Sequence, residues 1–165
     1  MLDVIDQLGY DFKHFDLNHF IDHIQRRRRR EIIIVPADFD HELSALWVRA
    51  ETADYIFFNI SHHIIHQTHS ILHELAHITL NHQCMPIKDV LPPELLAELH
   101  SDEPLGRPRI IKPNLRDTPE EQEAEAFVYI IQREVMNANR MEQLLGQGSS
   151  IQKLNKYVEG MAFDD

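Results

Sequence analysis

From His63 to His82 the chain holds neither glycine nor proline. A stretch like this can run as one long helix. Ile64, Ile71, Leu75 and Ile78 recur at helical spacing, and so do Ile65, Leu72, Ala76 and Thr79. Two such stripes side by side make a broad apolar face, so the helix is expected inside the fold with other elements packed around it. The same stretch carries His66, His69, His73, Glu74 and His77. A fold built around this helix must enclose polar side chains, and enclosed polar side chains need partners.

The rest of the chain sets the frame for that helix. With 165 residues, 43% of them hydrophobic, the sequence fits a single domain over 1–165. Its formal charge of −11 argues against direct nucleic-acid binding, because a negative surface repels phosphate. Cys84 is the one cysteine, so no internal disulfide is expected, which suits a reducing compartment. Met1-Leu2-Asp3-Val4-Ile5-Asp6 is acidic where a secretory signal would be basic, and no apolar run is long enough for a membrane span. These features together predict a cytoplasmic protein that does not insert in a membrane.

Asp16 is placed to cap a helix whose apolar stripe is Leu17, Phe20, Ile21 and Ile24, ending near the Arg26–Arg30 run. Glu31-Ile32-Ile33-Ile34-Val35 reads as a buried strand stopped by Pro36. Ala45–Ala50 and Tyr55–Ile60 read as a hairpin around Glu51-Thr52-Ala53-Asp54. After the long helix, Met85–Asn114 carries Pro86, Pro92, Pro93, Pro104, Pro108 and Pro113, and is expected to be loop with a short helix at Glu94–Leu99. Thr118 opens a further helix, with Pro119 at its first position and Glu120 and Glu121 at its positive end. A break at Gly146–Ser150 is expected before a last helix over Ile151–Val158. The order predicts an α+β fold with a small sheet packed on one side of the central helix.

His73 and His77 are four residues apart, which on a helix brings both imidazoles to one face and allows them to share a zinc ion. Glu74 follows the first histidine and is placed to take a proton from a water at that ion, the task of a general base in metal-assisted hydrolysis. A catalytic zinc site needs a third protein ligand. His82 is one source, but on a continuing helix it would point away from His77. The acidic run Glu120-Glu121-Gln122-Glu123-Ala124-Glu125 is the other. Ala126-Phe127-Val128 follows at once, so one face of the run is expected to be buried, and a glutamate buried there needs a cation.

His73-Glu74-Leu75-Ala76-His77-Ile78-Thr79-Leu80-Asn81-His82, followed by Glu121-Gln122-Glu123-Ala124-Glu125-Ala126-Phe127, resembles the ImmA/IrrE family of metallopeptidases. The resemblance covers roughly residues 30–136, with helical extensions on either side. It implies a zincin-like fold, with zinc held by His73, His77 and Glu121, and with Glu74 as catalytic base. Glu125 then sits where an Asn or Asp commonly supports the site, while Glu123 and Glu125 stay open as alternative ligands. The resemblance further implies an endopeptidase that cleaves a DNA-binding regulator of the helix-turn-helix type, often in a stress response. A zinc hydrolase with another substrate, or a binding or toxin-type module without cleavage, are the alternatives.

Further expectations attach to the neighbourhood of the motif. His66 and His69 are candidates to line a substrate groove, and Tyr55 and Tyr129 to polarise a carbonyl. Tyr55–Ile60, directly before the zinc helix, is the expected strand edge for an extended substrate. The acids Asp89, Glu94, Glu98, Asp102 and Glu103 of the proline-rich segment would favour a basic partner at the mouth of the site.

Overall fold

The computed structural model describes residues 1–39, 42–88, 93–99, 104–110 and 118–161, with side chains of the last segment described as far as Met141 and at Gln143. The elements in chain order are α1 (Leu2–Leu8), a 3-10 turn at Phe12–His14, α2 (Leu17–Arg28), β1 (Glu31–Ala37), β2 (Leu43–Arg49), β3 (Ala53–Asn59) and α3 (Ile64–Leu80). They continue as β4 (Met85–Pro86), α4 (Pro93–Leu99), β5 (Leu105–Ile110) and α5 (Pro119–Met161). The chain is α+β: one mixed sheet of order β1-β3-β2-β5-β4, with helices against it. Among the described residues no helix is long and apolar enough to cross a membrane.

Asp16 caps α2 as its position predicts, its side chain accepting from the His19 amide at 2.9 Å. The arginine run ends the helix: Arg29 takes the left-handed conformation at φ 54°. Arg30 then donates to Asp54 at 2.9 Å and to the carbonyls of Ala50, Glu51 and Ala53. Asp54 is buried and also accepts from Trp47 Nε1 at 3.0 Å. One arginine of the run thereby locks the end of α2 to the β2–β3 turn.

The β2–β3 hairpin forms as expected, pairing antiparallel from Ala45–Phe58 to Arg49–Asp54. β1 pairs parallel with β3 and has no other strand neighbour among the described residues. At the sheet edge β1 is only half covered rather than buried, and Pro36 lies within it instead of ending it. An edge strand tolerates a missing N–H because one side of its backbone needs no partner. β3 lies between β1 and β2, so it offers no free edge, and an extended substrate cannot add there.

β5 is the larger departure. The proline-rich segment read as loop returns to the sheet, pairing antiparallel with β2 from Leu105–Arg49 to Ile110–Leu43. Local composition hides this strand, because proline is depleted in sheet interiors. Pro108 is tolerated because β4 is short and pairs only with Gly106 and Leu105, so among the described residues no strand lies on the outer side of Pro108. Gly106 has a different reason: a Cβ there would stand 2.1 Å from the Trp47 carbonyl oxygen and 2.7 Å from Ile87 Cδ1. The short helix appears as α4, one residue longer at its start than predicted. The backbone of α5 continues through Gly146–Ser150, so the expected break is absent. Glycine weakens a helix interior by about 1 kcal/mol but does not end it. Asp89, Asp102 and Glu103 lie outside the described residues, as do the side chains of Glu94 and Glu98.

Two apolar cores result, one on each face of the sheet. On one, Trp47 and Ile56 meet Phe20 and Ile24 of α2, Leu72, Leu75 and Ile78 of α3, and Phe127, Val128 and Ile131 of α5. On the other, Leu46, Val48, Phe57 and Ile87 pack with Leu96 and Leu99 of α4. α5 docks through Ala124, Phe127, Val128 and Ile131, a stripe at i, i+3, i+4 and i+7 that is wholly buried. Fully burying each large side chain in that stripe contributes about 1.5–3 kcal/mol, so the α3–α5 contact is firmly set. Gly106→Ala should lower stability by about 1–3 kcal/mol through overpacking against backbone that cannot yield. The check is a chemical-denaturation curve of the variant against the unsubstituted chain; equal midpoints would show that β5 does not approach β2 this closely.

Candidate metal centre

α3 brings His73 and His77 onto one face, with their Nε2 atoms 3.0 Å apart. The helix is buried all around from Ser70 to Ile78, and His73, Glu74 and His77 are each 2% exposed or less. The third member arrives from α5. Thr118 caps that helix, its Oγ1 accepting from the Glu121 amide at 3.3 Å, and Pro119 occupies the first position. Docking of the apolar stripe turns the first turn of α5 toward α3, and Glu121 Oε2 lies 3.0 Å from His73 Nε2. Its Oε1 lies 3.4 Å from His77 Nε2.

Among the described residues, this is the group whose donor atoms converge within 4.8 Å of one another. Bonds of about 2.0–2.2 Å from a tetrahedral ion put neighbouring donor atoms roughly 3.3 Å apart. Two imidazole nitrogens and a carboxylate at the observed separations therefore fit a metal ion held by three protein ligands. A buried side-chain atom with no hydrogen-bond partner among the described residues supports the same fit: Glu74 Oε2 is such an atom. An unsatisfied buried polar atom in a well-packed core calls for a water, an ion or a chemical role.

The alternatives within the acidic run go elsewhere. Glu125 stands behind His73: its Oε1 is 3.3 Å from His73 Nδ1, and its Oε2 is 3.3 Å from His69 Nε2. The His73 approach lacks hydrogen-bond alignment, and Nδ1 is left unpartnered. Glu123 is turned away from the converging atoms and meets His82 Nε2 at 3.0 Å. The expected direction of His82 is overturned, because the helix does not continue. It ends at Leu80, Asn81 takes φ 58°, and the His82 amide donates back to the His77 carbonyl at 3.0 Å. This Schellman closure folds the chain back and places His82 Nδ1 2.7 Å from His77 Nδ1.

Sequence reasoning missed the two arginines of β5. Arg107 is buried and donates to Glu121 Oε1 at 2.8 Å, to the Gln83 carbonyl at 2.8 Å, and to Glu120. Arg109 donates to Glu125 Oε1 at 3.0 Å. The signal available was Arg107-Pro108-Arg109, two cations at strand spacing that share one face. His62, His63, His66 and His69 line a cavity of about 340 Å³ with Arg109 and Ser44, so the histidines before the motif do face an open space near the centre. Neither tyrosine takes part: Tyr55 packs in the core on the far face of the sheet, and Tyr129 is exposed. Cys84 is half-buried, and burial pushes its thiol up, which favours the inert form.

The surroundings divide the titrating groups by charge state. Burial pushes Glu74 up to about 7, against the lowering influence of His73 and Arg109. Burial likewise pushes His77 down to about 4, despite Glu121. Burial would also raise Glu121, but the His73, His77 and Arg107 nitrogens beside its oxygens outweigh it and hold the carboxyl far below its ordinary range. For His73 burial is again outweighed: the Glu121 and Glu125 carboxylates keep it above its ordinary value. The group thus combines one permanent carboxylate, a histidine that stays neutral, and a carboxylic acid that can exchange its proton near neutrality.

Comparison with known proteins adds no relative: no protein-family model matches the chain, and no curated protein or solved structure does.

In metal-free protein these shifts fix how stability responds to pH. Glu74 is raised from 4.5 to about 7, so it favours folding more as pH falls from 7 to 4.5. His77 is lowered from 6.5 to about 4, so its contribution is lost as pH falls through nearly the same window. At about 1.4 kcal/mol per pH unit the two are of similar size and opposite sign. Glu121 and the half-exposed Glu125 are depressed, and their contributions are lost only below about 4.5. Thermal melts with a chelator present should be nearly level from pH 7 to 5 and fall steeply below 4.5. A melting temperature that climbs steadily down to pH 4 would contradict this balance.

Proposed function

We propose that the chain is a zinc-dependent endopeptidase of zincin-like fold, with His73, His77 and Glu121 as metal ligands and Glu74 as catalytic base. The observation that carries this reading is the convergence of the three donor atoms within 4.8 Å beside a buried Glu74 whose Oε2 has no hydrogen-bond partner among the described residues. When bound, zinc would lower the pKa of a water and polarise the scissile carbonyl. The rest of the chemistry falls to residues of the chain. Glu74 takes a proton from the attacking water as its oxygen bonds to the carbonyl carbon. It returns that proton to the amine as the C–N bond breaks. A carboxyl pushed up to about 7 suits both transfers at neutral pH. Arg107 holds Glu121 Oε1 at 2.8 Å and so keeps the carboxylate directed at the two imidazoles.

For the substrate, the reading rests on the resemblance of the two motifs to the ImmA/IrrE family. It is a protein, and by that likeness a DNA-binding regulator cut in a cytoplasmic stress response. The net charge of −11 suits a basic partner of that kind. Among the described residues β5 has no strand partner on its outer side at Arg107–Ile110, beyond its pairing with β4, and Arg107 ties this stretch to Glu121. An extended segment of substrate would lie there, near the histidine-lined cavity.

Glu74→Gln tests the assignment. The zinc-loaded protein is mixed with casein and with a candidate repressor, and both are followed by mass spectrometry. The unsubstituted protein should cut the repressor and leave casein nearly intact. Glu74→Gln should lose about 10²–10⁴ in rate while holding the same zinc. It should melt no lower, because a neutral amide replaces a carboxyl that burial disfavours in its charged form. Undiminished cleavage by Glu74→Gln would remove that residue from the mechanism, and purified protein without zinc would remove the metal.

A further inference from the structure

His82 and Glu123 both lie in the two motif segments, yet neither donates to the converging group. His82 is 6% exposed and sits behind His77, with the two Nδ1 atoms 2.7 Å apart. Its other ring nitrogen, Nε2, meets Glu123 Oε2 at 3.0 Å, while Glu123 is 57% exposed. His82 cannot itself reach an ion held by His77, because it lies against the opposite nitrogen of that ring.

The donors and acceptors along this chain fit in one direction only for neutral imidazoles. A carboxylate accepts, so His82 Nε2 carries the hydrogen that Glu123 receives. His82 Nδ1 is then a lone pair and accepts from His77 Nδ1. With its hydrogen on Nδ1, His77 has its lone pair on Nε2, the nitrogen that stands 3.0 Å from His73 Nε2 and 3.4 Å from Glu121 Oε1. Each bond of the chain pairs a donor with an acceptor, and the His77 Nε2 lone pair is left facing the Glu121 Oε1 acceptor, a pairing that a cation between them would satisfy.

We propose that His82 and Glu123 are positioning residues for the metal centre, a relay in which Glu123 orients His82 and His82 fixes His77 in the tautomer that presents Nε2 to the ion. The relay rests on the reading of His73, His77 and Glu121 as metal ligands. Two backbone features build it. The left-handed Asn81 returns His82 to the side of α3. The first turns of α5 direct Glu121 and Glu123, two residues apart, to different sides of that helix, so one reaches the ligand group and the other reaches His82. Partners of this kind hold a ligating ring in place and raise its basicity, and losing one typically costs about 10–100-fold in metal affinity.

The test is the zinc dissociation constant, from competition with a chromophoric chelator, together with the visible spectrum of cobalt(II)-loaded protein. His82→Leu should weaken zinc about 10–100-fold and alter the cobalt bands. His82→Asn keeps an acceptor for His77 Nδ1 and should recover most of the affinity. Glu123→Ala, at an exposed position, should weaken zinc by about 10-fold in the unsubstituted background. In the His82→Leu background it should have no further effect, since the relay is already cut. Equal losses from Glu123→Ala in both backgrounds would reduce Glu123 to a distant charge and overturn the relay. So would affinity within twofold of the unsubstituted protein for His82→Leu. Should His82→Leu fail to fold, Glu123→Ala decides alone, and an unchanged dissociation constant overturns the proposal. If the unsubstituted protein takes up neither zinc nor cobalt, the relay and the metal-centre reading fall together. If it binds and the variants bind equally, the relay alone falls.

Discussion

Glu121 reaching the His73–His77 pair is the contact on which the remaining arrangement depends, because it joins charge across a buried interface between α3 and α5. Three polar groups of one α3 turn are enclosed there almost completely. Enclosure without partners would cost several kcal/mol for each charged group. The carboxylate from α5 supplies one partner and Arg107 from β5 supplies its counter-charge. Each of the three elements therefore needs the other two in place. The apolar stripe of α5 sets the distance, and the polar atoms at its first turn use it.

The sheet supports this from an unexpected quarter. β5 lies against β2 because Gly106 admits the Trp47 carbonyl, and its alternation then puts Arg107 and Arg109 on the face that α3 and α5 cover. One arginine serves Glu121 and the other serves Glu125. Both carboxylates contact the motif histidines, so the cations of β5 balance the acidic start of α5. Without them that acidic run would sit beside a buried, uncharged His77 with little to offset its repulsion. An acidic surface and a basic strand hidden beneath it are compatible because the arginines face inward.

The elements written in local pattern were legible from the chain alone. α2 with its Asp16 cap, the β2–β3 hairpin, α3, and α5 with Thr118 and Pro119 at its start all follow from periodicity and capping chemistry. The pairing of His73 with His77 follows too, since a helix fixes which residues share a face. β5 was hidden because a strand held by its neighbours need not show strand composition, and Pro108 argued locally against it. His82 was misdirected because its place depends on one residue, Asn81, adopting a left-handed conformation that ends the helix. Asparagine favours that conformation, but a helical continuation was equally consistent with the residues before it.

What the sequence determined by itself was therefore the set of local units and the residue types each carries: a helix with two histidines and a glutamate on it, and an acidic helix start with an apolar stripe behind. It narrowed the partner of the histidines to a short run of glutamates, and only the likeness of motifs chose among them. Tertiary structure decided which carboxylate points inward, since on one helix Glu123 is rotated about the axis away from the other two and Glu125 lies one turn further along than Glu121. That rotation is set by how Ala124, Phe127, Val128 and Ile131 seat in the core, a long-range packing event that no local pattern encodes.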